Sequence, residues 1–294
     1  MSPRDFARMV AVCFLWACNN IIGVILIGGM GVPPLLYAAL RLGLVTLLLA
    51  RLLWPLPPLL LRTAAAGLCL GAVHFGFLFL GFRTATPSAA AIVLQTAIPM
   101  AAILSVLWLG ERPTIKRTVG IVLSLCGIVI VMWNPQQLAV SWGLLLVFIA
   151  AAALAIGSIL VKTLPRMAPL RLQAWVNALS FPVLAIMSLA LERDGVARME
   201  VSLPLLAACL VFSAVGVTIF AHTAYFRLLQ TYDANTVVPL TLLMPLMTVA
   251  MGIALAGDRP TLQFTVGAAL AIGGVLVIVL RRGRLRRVPG RLRI

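Results

Sequence analysis

The chain has 294 residues, 63% of them hydrophobic and 10% charged, with a mean hydropathy of +1.13 and a formal net charge of +16. A water-soluble domain is about 45–50% apolar and about 25% charged, so this composition excludes a protein with a water-facing surface and makes the bilayer its solvent. The positive charge invites a nucleic-acid reading, which its placement, given below, argues against.

A membrane-crossing helix needs about 20 mostly apolar residues. Ten such stretches are predicted, at 7–28, 34–54, 64–82, 87–109, 116–133, 142–162, 170–191, 203–228, 234–256 and 261–281. Short connections rich in turn formers separate them, among them "GGMGVPP", "TATPS", "WNPQQ" and "TLPRMAP", where proline bars helix continuation. The segments do not alternate as barrel strands would.

The first stretch begins like a signal peptide, but it is long enough to span and lacks a clear small-residue cleavage site, so it is expected to be retained as a helix. A polar side chain in mid-membrane is costly, so its position carries information. In the first span Trp16, Asn19, Asn20 and Gly23 share a face at i, i+3, i+4 and i+7. The second span holds Arg41, the one basic residue well inside a span; snorkelling outward or capping neighbouring carbonyls is its expected role. The third carries His74 on a stripe with Gly67, Gly71 and Leu78. In the fourth, Gln95 and Pro99 share a face with Ala91 and Ala102, and Pro99 frees backbone carbonyls that a solute could use. The sixth places Ser158 and Lys162 on one face, with Lys162 near enough to the end to snorkel. The eighth sets His222 beside Tyr225, and the ninth aligns Thr241, Pro245 and Thr248. The fifth and tenth offer mostly glycine and aliphatics, which suits peripheral packing.

Each polar group has a plainer alternative. Asn19, Asn20 and Gln95 either line a cavity or bond a neighbouring helix. Trp16 and Tyr225 either stack on a solute or pack as ordinary aromatics. Ser158, Thr241 and Thr248 either face a solute or bond their own backbone. The histidines lie 148 residues apart and could meet from opposing halves, although one residue of offset turns a helix by about 100°. Two histidines without an intramembrane carboxylate do not suit a metal, so no metal and no cofactor are expected. The five cysteines sit in apolar runs and read as packing residues.

Residues 110–120, "GERPTIKRTVG", recur as "GDRPTLQFTVG" at 257–267, identical at seven of eleven positions. With the N-terminus in the cytoplasm, eighteen of the 23 Lys and Arg fall on the inner side and four on the outer, as the positive-inside rule requires. Five helices separate the two copies, so they face opposite sides. The outer copy has lost the basic pair Lys116–Arg117, replaced by Gln263 and Phe264. "TAIPM" (96–100) likewise parallels "LLMPL" (242–246). The predicted fold is therefore an all-α integral membrane protein of ten transmembrane helices, built as two inverted five-helix repeats around a central cavity. The repeats are placed at 1–139 and 140–281, and 282–294 is a basic cytoplasmic tail that anchors at the membrane rather than on nucleic acid.

"ALRLGLVTLLL" in the second span, the run from "TAIPM" through "LGERP" to "VGIVLSLCGIVIVM", and its second copy resemble the EamA repeats of the drug/metabolite transporter superfamily, over nearly the whole chain. Ten-helix amino-acid exporters are the most similar class within it. The resemblance implies export through a cavity lined by helices one, three, four, six, eight and nine. It also implies a structural or gating role for Arg41.

All seven acids, Asp5, Glu111, Glu192, Asp194, Glu200, Asp233 and Asp258, fall at span ends or in loops. Small four-helix multidrug proteins related to this superfamily use an intramembrane Glu, and this chain departs from that pattern. A neutral or zwitterionic solute suits Trp, Asn, Gln, His and Tyr better than a permanent cation does. The expected partner is thus a small molecule, most of all an amino acid, moved outward down its own gradient. The alternative is a drug, a nucleotide sugar or another metabolite, although few cavity cations are available for a diphosphate. A membrane enzyme would need clustered acids or a nucleophile with a base, and a structural subunit would not be stabilised by solutes. The expected setting is a bacterial inner membrane, with both termini cytoplasmic and the chain a monomer.

Overall fold

The structure is a computed structural model and describes residues 1–110, 114–134, 139–165, 167–195, 199–232 and 237–279. The basic tail at 282–294, and Glu111 and Arg112 of the first motif copy, lie outside the described residues. The described residues form ten apolar helices, in order α1 (Pro3–Gly29), α2 (Pro34–Leu48), α3 (Leu60–Gly81), α4 (Pro87–Leu109), α5 (Ile115–Met132), α6 (Trp142–Lys162), α7 (Pro169–Leu191), α8 (203–231), α9 (Val238–Leu255) and α10 (Leu262–Val279). Among the described residues the only strands are β1 (Trp133–Asn134) and β2 (Ala139–Val140), an antiparallel pair.

All but α2 are long enough to cross a bilayer on their own. The second span, expected as one helix over 34–54, is α-helical only to Leu48 and then winds into a 3₁₀ turn, Ala50–Leu53. Pro55 follows at once, and its ring bars further helix. The 15 α-helical residues reach about 22 Å at 1.5 Å each. The 3₁₀ turn adds about 8 Å, which brings the pair to the roughly 30 Å of hydrocarbon. Trp54, Trp108 and Trp142 stand exposed near helix ends, where amphipathic rings meet the headgroups.

The repeated motif is a set of helix stops and starts. Gly110 and Gly257 take left-handed backbone, with φ of +65° and +72°, where the helix before each of them ends. The threonine four residues on caps the next helix in both copies. Thr114 Oγ1 accepts from Arg117 N–H at 3.3 Å, and Thr261 Oγ1 accepts from Phe264 N–H at 3.1 Å. The acid of the second copy reaches across the molecule, where an Asp258 carboxylate oxygen accepts from Ser88 N–H at the start of α4, at 2.9 Å.

Helices that occupy the same place in the two halves pack against each other in opposite directions. In α5 and α10, Gly120 meets Gly274 and Ile278, whereas Gly127 meets Ala271 and Gly267. In α2 and α7, the start of α2 binds Glu192, Gly43 meets Phe181, and Arg171 donates to the Pro55 carbonyl. Further contacts repeat under the same exchange. α1 packs on α8 and α9 as α6 packs on α3 and α4, and α3 packs on α7 as α8 packs on α2. This is an inverted five-plus-five arrangement about an axis in the membrane plane.

Candidate functional site

The centre is assembled where α1, α2, α3 and α8 converge. Two of these helices change their winding there. α3 passes through a π-helical segment, Cys69–Val73, that ends directly before His74. α8 passes through a longer one, Phe212–Ala221, that ends directly before His222. A π turn holds more residues than an α turn. The His74 ring packs on Phe75 at 4.8 Å between ring centres, and the same Phe75 lies under the Arg41 guanidinium.

Both histidines are oriented by backbone carbonyls. His74 Nδ1 lies 2.9 Å from the Ala150 carbonyl of α6, and His222 Nδ1 lies 2.9 Å from the Val217 carbonyl of its own helix. A carbonyl only accepts, so Nδ1 carries the hydrogen in each, and Nε2 of the neutral ring is left as an acceptor. Trp16 packs on His222 with 5.4 Å between ring centres, and on Tyr225 edge-on at 5.3 Å. These three rings are half-buried. The Trp16 Nε1–H is buried without a partner.

Towards the opposite end of the spans a hydrogen-bonded chain begins at Asn19. Ser213 Oγ donates to Asn19 Oδ1 at 2.8 Å, and the Tyr37 hydroxyl lies 2.8 Å from Ser213 Oγ. The single serine proton is spent on Asn19, so Tyr37 is the donor to Ser213. Asn20 donates to the Met244 sulfur at 3.6 Å, tying α1 to α9. Gln95 sits in the break of α4 between its segments Pro87–Leu94 and Ala97–Leu109. Pro99 supplies no N–H to the Gln95 carbonyl four residues back, and Ile98 N–H takes it instead in a tighter turn, at 3.1 Å. The Gln95 side chain is buried, and its Nε2 has no partner. In α9 the matching stretch, Val238–Leu242, is 3₁₀-helical before Pro245. Both prolines are buried.

Some expected residues are placed otherwise. Ser158 is exposed, and its hydroxyl donates to the Leu154 carbonyl of its own helix. Thr241 and Thr248 likewise donate to the carbonyls of Val238 and Met244. A hydroxyl on a helix finds its own i−3 or i−4 carbonyl first. Gly67 and Gly71 meet α7 at Val176 and Ser180, so the glycines of the His74 stripe are packing positions. The larger correction concerns Arg41. It does not snorkel, for it is 2% exposed. α2 starts late and runs between α7 and α8, so the side chain has protein on every side. Tyr37 and Arg41, one turn apart, bring α2 into the centre, which was expected to be lined without it. The i, i+4 spacing of these two polar residues in an apolar span was the signal for it.

Two hollows lie at the end away from the N-terminus. One, of about 400 Å³, is lined by Arg83 and residues 190–195, and one of about 170 Å³ by Thr86, Ser88 and residues around Asp258. Neither includes the central residues.

Residues 7–133 and 141–280 each match the EamA-like transporter family. A protein of Salmonella typhimurium named "Probable amino-acid metabolite efflux pump" is 30% identical over 99% of this chain and 100% of its own length. One of the same name from Escherichia coli is 31% identical over 95% of this chain and 96% of its own length. An "Uncharacterized transporter" of Archaeoglobus fulgidus is 25% identical over 85% and 90%. A crystal structure superposes with a TM-score of 0.61, covering 95% of this chain and 99% of the other at 18% identity, which speaks to the fold alone.

Proposed function

From the premise that the chain belongs to the EamA-like transporter family, we propose that it exports amino acids from the cytoplasm by alternating access, with the polar centre between its halves as the solute site. The observation that carries this reading is the composition of that centre. Asn19, Trp16, His222 and Tyr225 offer neutral donors, acceptors and ring faces, the buried, unpartnered Gln95 amide of α4 is taken to face them, and all seven acids of the chain lie at span ends or in loops. Such a lining satisfies a zwitterion through hydrogen bonds and ring faces while offering no fixed anion to a permanent cation. The efflux-pump relatives, aligned over almost the entire chain, support the same solute class.

The units that rock against each other are taken as 1–139 and 140–281, with both termini cytoplasmic in a bacterial inner membrane. Positive charge on the N-terminal side supports that orientation. Coupling to protons is not part of the proposal, because no carboxylate lies in the middle of a span. Proteoliposomes preloaded with an unlabelled neutral amino acid should take up the labelled one by counterflow, at a rate unchanged by an imposed pH gradient. Uptake that needs the gradient would contradict the mechanism, and no counterflow with any amino acid would contradict the substrate class.

Within that assay, Asn19→Ala and Gln95→Ala should each slow exchange about tenfold, the scale of one lost hydrogen bond of about 1.4 kcal/mol. Ser158→Ala, whose hydroxyl is spent on its own helix, should exchange at the original rate. Equal rates for all three variants would remove Asn19 and Gln95 from the site.

A further inference from the structure

The inference concerns Arg41 and rests on the centre being the solute site. Its guanidinium is buried between three helices. Nη2 donates to Thr218 Oγ1 of α8 at 3.0 Å, and the group lies over the Phe75 ring of α3, 4.7 Å from its centre. Nε and Nη1, which carry three of the five N–H bonds, have no partner. Among the described residues no carboxylate pairs with it; the ion pairs there are Arg8–Asp5 and Arg83–Glu192, both towards helix ends. A buried cation that makes one hydrogen bond to a neutral hydroxyl is a costly arrangement in a membrane. Arginine does not relieve it by losing its proton.

We infer that Arg41 is the anchor for the carboxylate of the transported solute. One carboxylate brings the missing counter-charge and acceptors for the unpartnered N–H bonds at once. The charge balance favours a monocarboxylate over a phosphate ester, since one guanidinium matches one negative charge and the lysines and other arginines of the described chain lie at helix ends or in connections. The same centre offers acceptors to an α-ammonium, namely the neutral Nε2 atoms of His74 and His222, and the indole face of Trp16. The selected class is therefore a molecule with a free carboxylate, and replacement of that carboxylate by a carboxamide removes recognition.

Thermal stabilisation of the purified full chain tests this with three matched probes: phenylalanine, phenylalaninamide and phenylpyruvate, each repeated in the leucine series. The acids are expected to raise the melting temperature and the amides to leave it unchanged. Arg41→Met should weaken binding of the acids by at least about 30-fold, the scale of truncating one partner of a buried charge pair. It should melt at or above the wild type without ligand, because it removes an unpaired buried charge. Arg41→Lys should retain part of the shift. Equal stabilisation by amides and acids, an undiminished shift in Arg41→Met, or a large loss of ligand-free stability in that variant would overturn the assignment and make Arg41 a brace. Should the keto acids stabilise and the amino acids not, the anchor stands and the amino-acid reading falls. Should no carboxylate stabilise the wild type, the anchor falls.

Discussion

Gly127→Leu is expected to abolish recovery of a monodisperse, cooperatively melting protein. A Cβ at Gly127 would lie 2.5 Å from the Gly267 carbonyl oxygen of α10, and closer still to the Ala271 nitrogen. Both are backbone atoms of a continuous helix and cannot step aside as a side-chain tip can. The same contact is made one helical repeat away, where Gly120 would place a Cβ 2.8 Å from the Gly274 oxygen. Between membrane helices there is no hydrophobic effect to oppose separation, and close backbone approach is itself the source of affinity. Overpacking a core usually costs about 1–3 kcal/mol. Here relief requires the two helices to part along their whole contact, so the cost should exceed about 3 kcal/mol. Size-exclusion profiles and thermal melts in detergent read this directly. Gly273→Leu on the facing helix, α10, is the control, since its Cβ would meet nothing within 4 Å and the change should stay within about 0.5 kcal/mol. If the two variants melt alike, α5 and α10 do not pack as described.

Glu192→Ala should be the most damaging change to a single loop residue. The carboxylate is buried where α7 ends and accepts from the first-turn N–H groups of Leu35 and Leu36 in α2, at 3.2 and 2.9 Å. Ser188 Oγ donates to it at 3.1 Å, and Arg83 lies 3.4 Å away. α2 opens on Pro33–Pro34 with no side-chain cap of its own, so Glu192 performs from the opposite half what a capping serine does locally. Alanine leaves two N–H groups unpaired, at about 1–3 kcal/mol each if both stay dry. A drop of about 2–5 kcal/mol in stability follows. Glu192→Gln, which keeps one acceptor oxygen, should fall between. Asp194→Ala, two residues on and exposed, should melt with the wild type. A Glu192→Ala protein as stable as Asp194→Ala would mean that α2 is held by its apolar packing alone.

Asp258 and Glu192 belong to one design. Each is an acid of the second half that caps a helix of the first, α4 and α2 respectively, at the end away from the N-terminus. At the N-terminal end the halves are joined by Asp5 and Tyr232, whose hydroxyl donates to the carboxylate at 2.6 Å. The acids at span ends, which composition reads only as absent from the membrane core, thus tie one half to the other.

How much of this was legible in the chain depends on whether the determinant was local. Hydropathy decides that a segment enters the bilayer, so ten spans and their connections could be marked, and the error at 34–54 came only from a change of winding near Pro55. The motif at 110–120 and 257–267 could be read as an inverted repeat, because topology demands that the basic pair be lost on one side. Its caps at Thr114 and Thr261 are local chemistry as well. Periodicity also placed Trp16, Asn19 and Asn20 together on one face of the first span.

Tertiary structure decided what those faces meet. A polar group in a membrane must find a partner, but the chain does not say whether the partner is its own carbonyl, as for Ser158, another helix, as for Asn19 with Ser213, or none among its neighbours, as for Nε and Nη1 of Arg41. The snorkelling expected of Arg41 failed because α2 is enclosed by α7 and α8, a matter of packing between distant segments. The π segments that end directly before His74 and His222 are also features that hydropathy does not register. Local sequence determined which residues enter the membrane and which share a side of a helix, because those follow from transfer energy and 3.6-residue geometry. The pairing of polar atoms was left to the fold, because that depends on which helices stand next to each other.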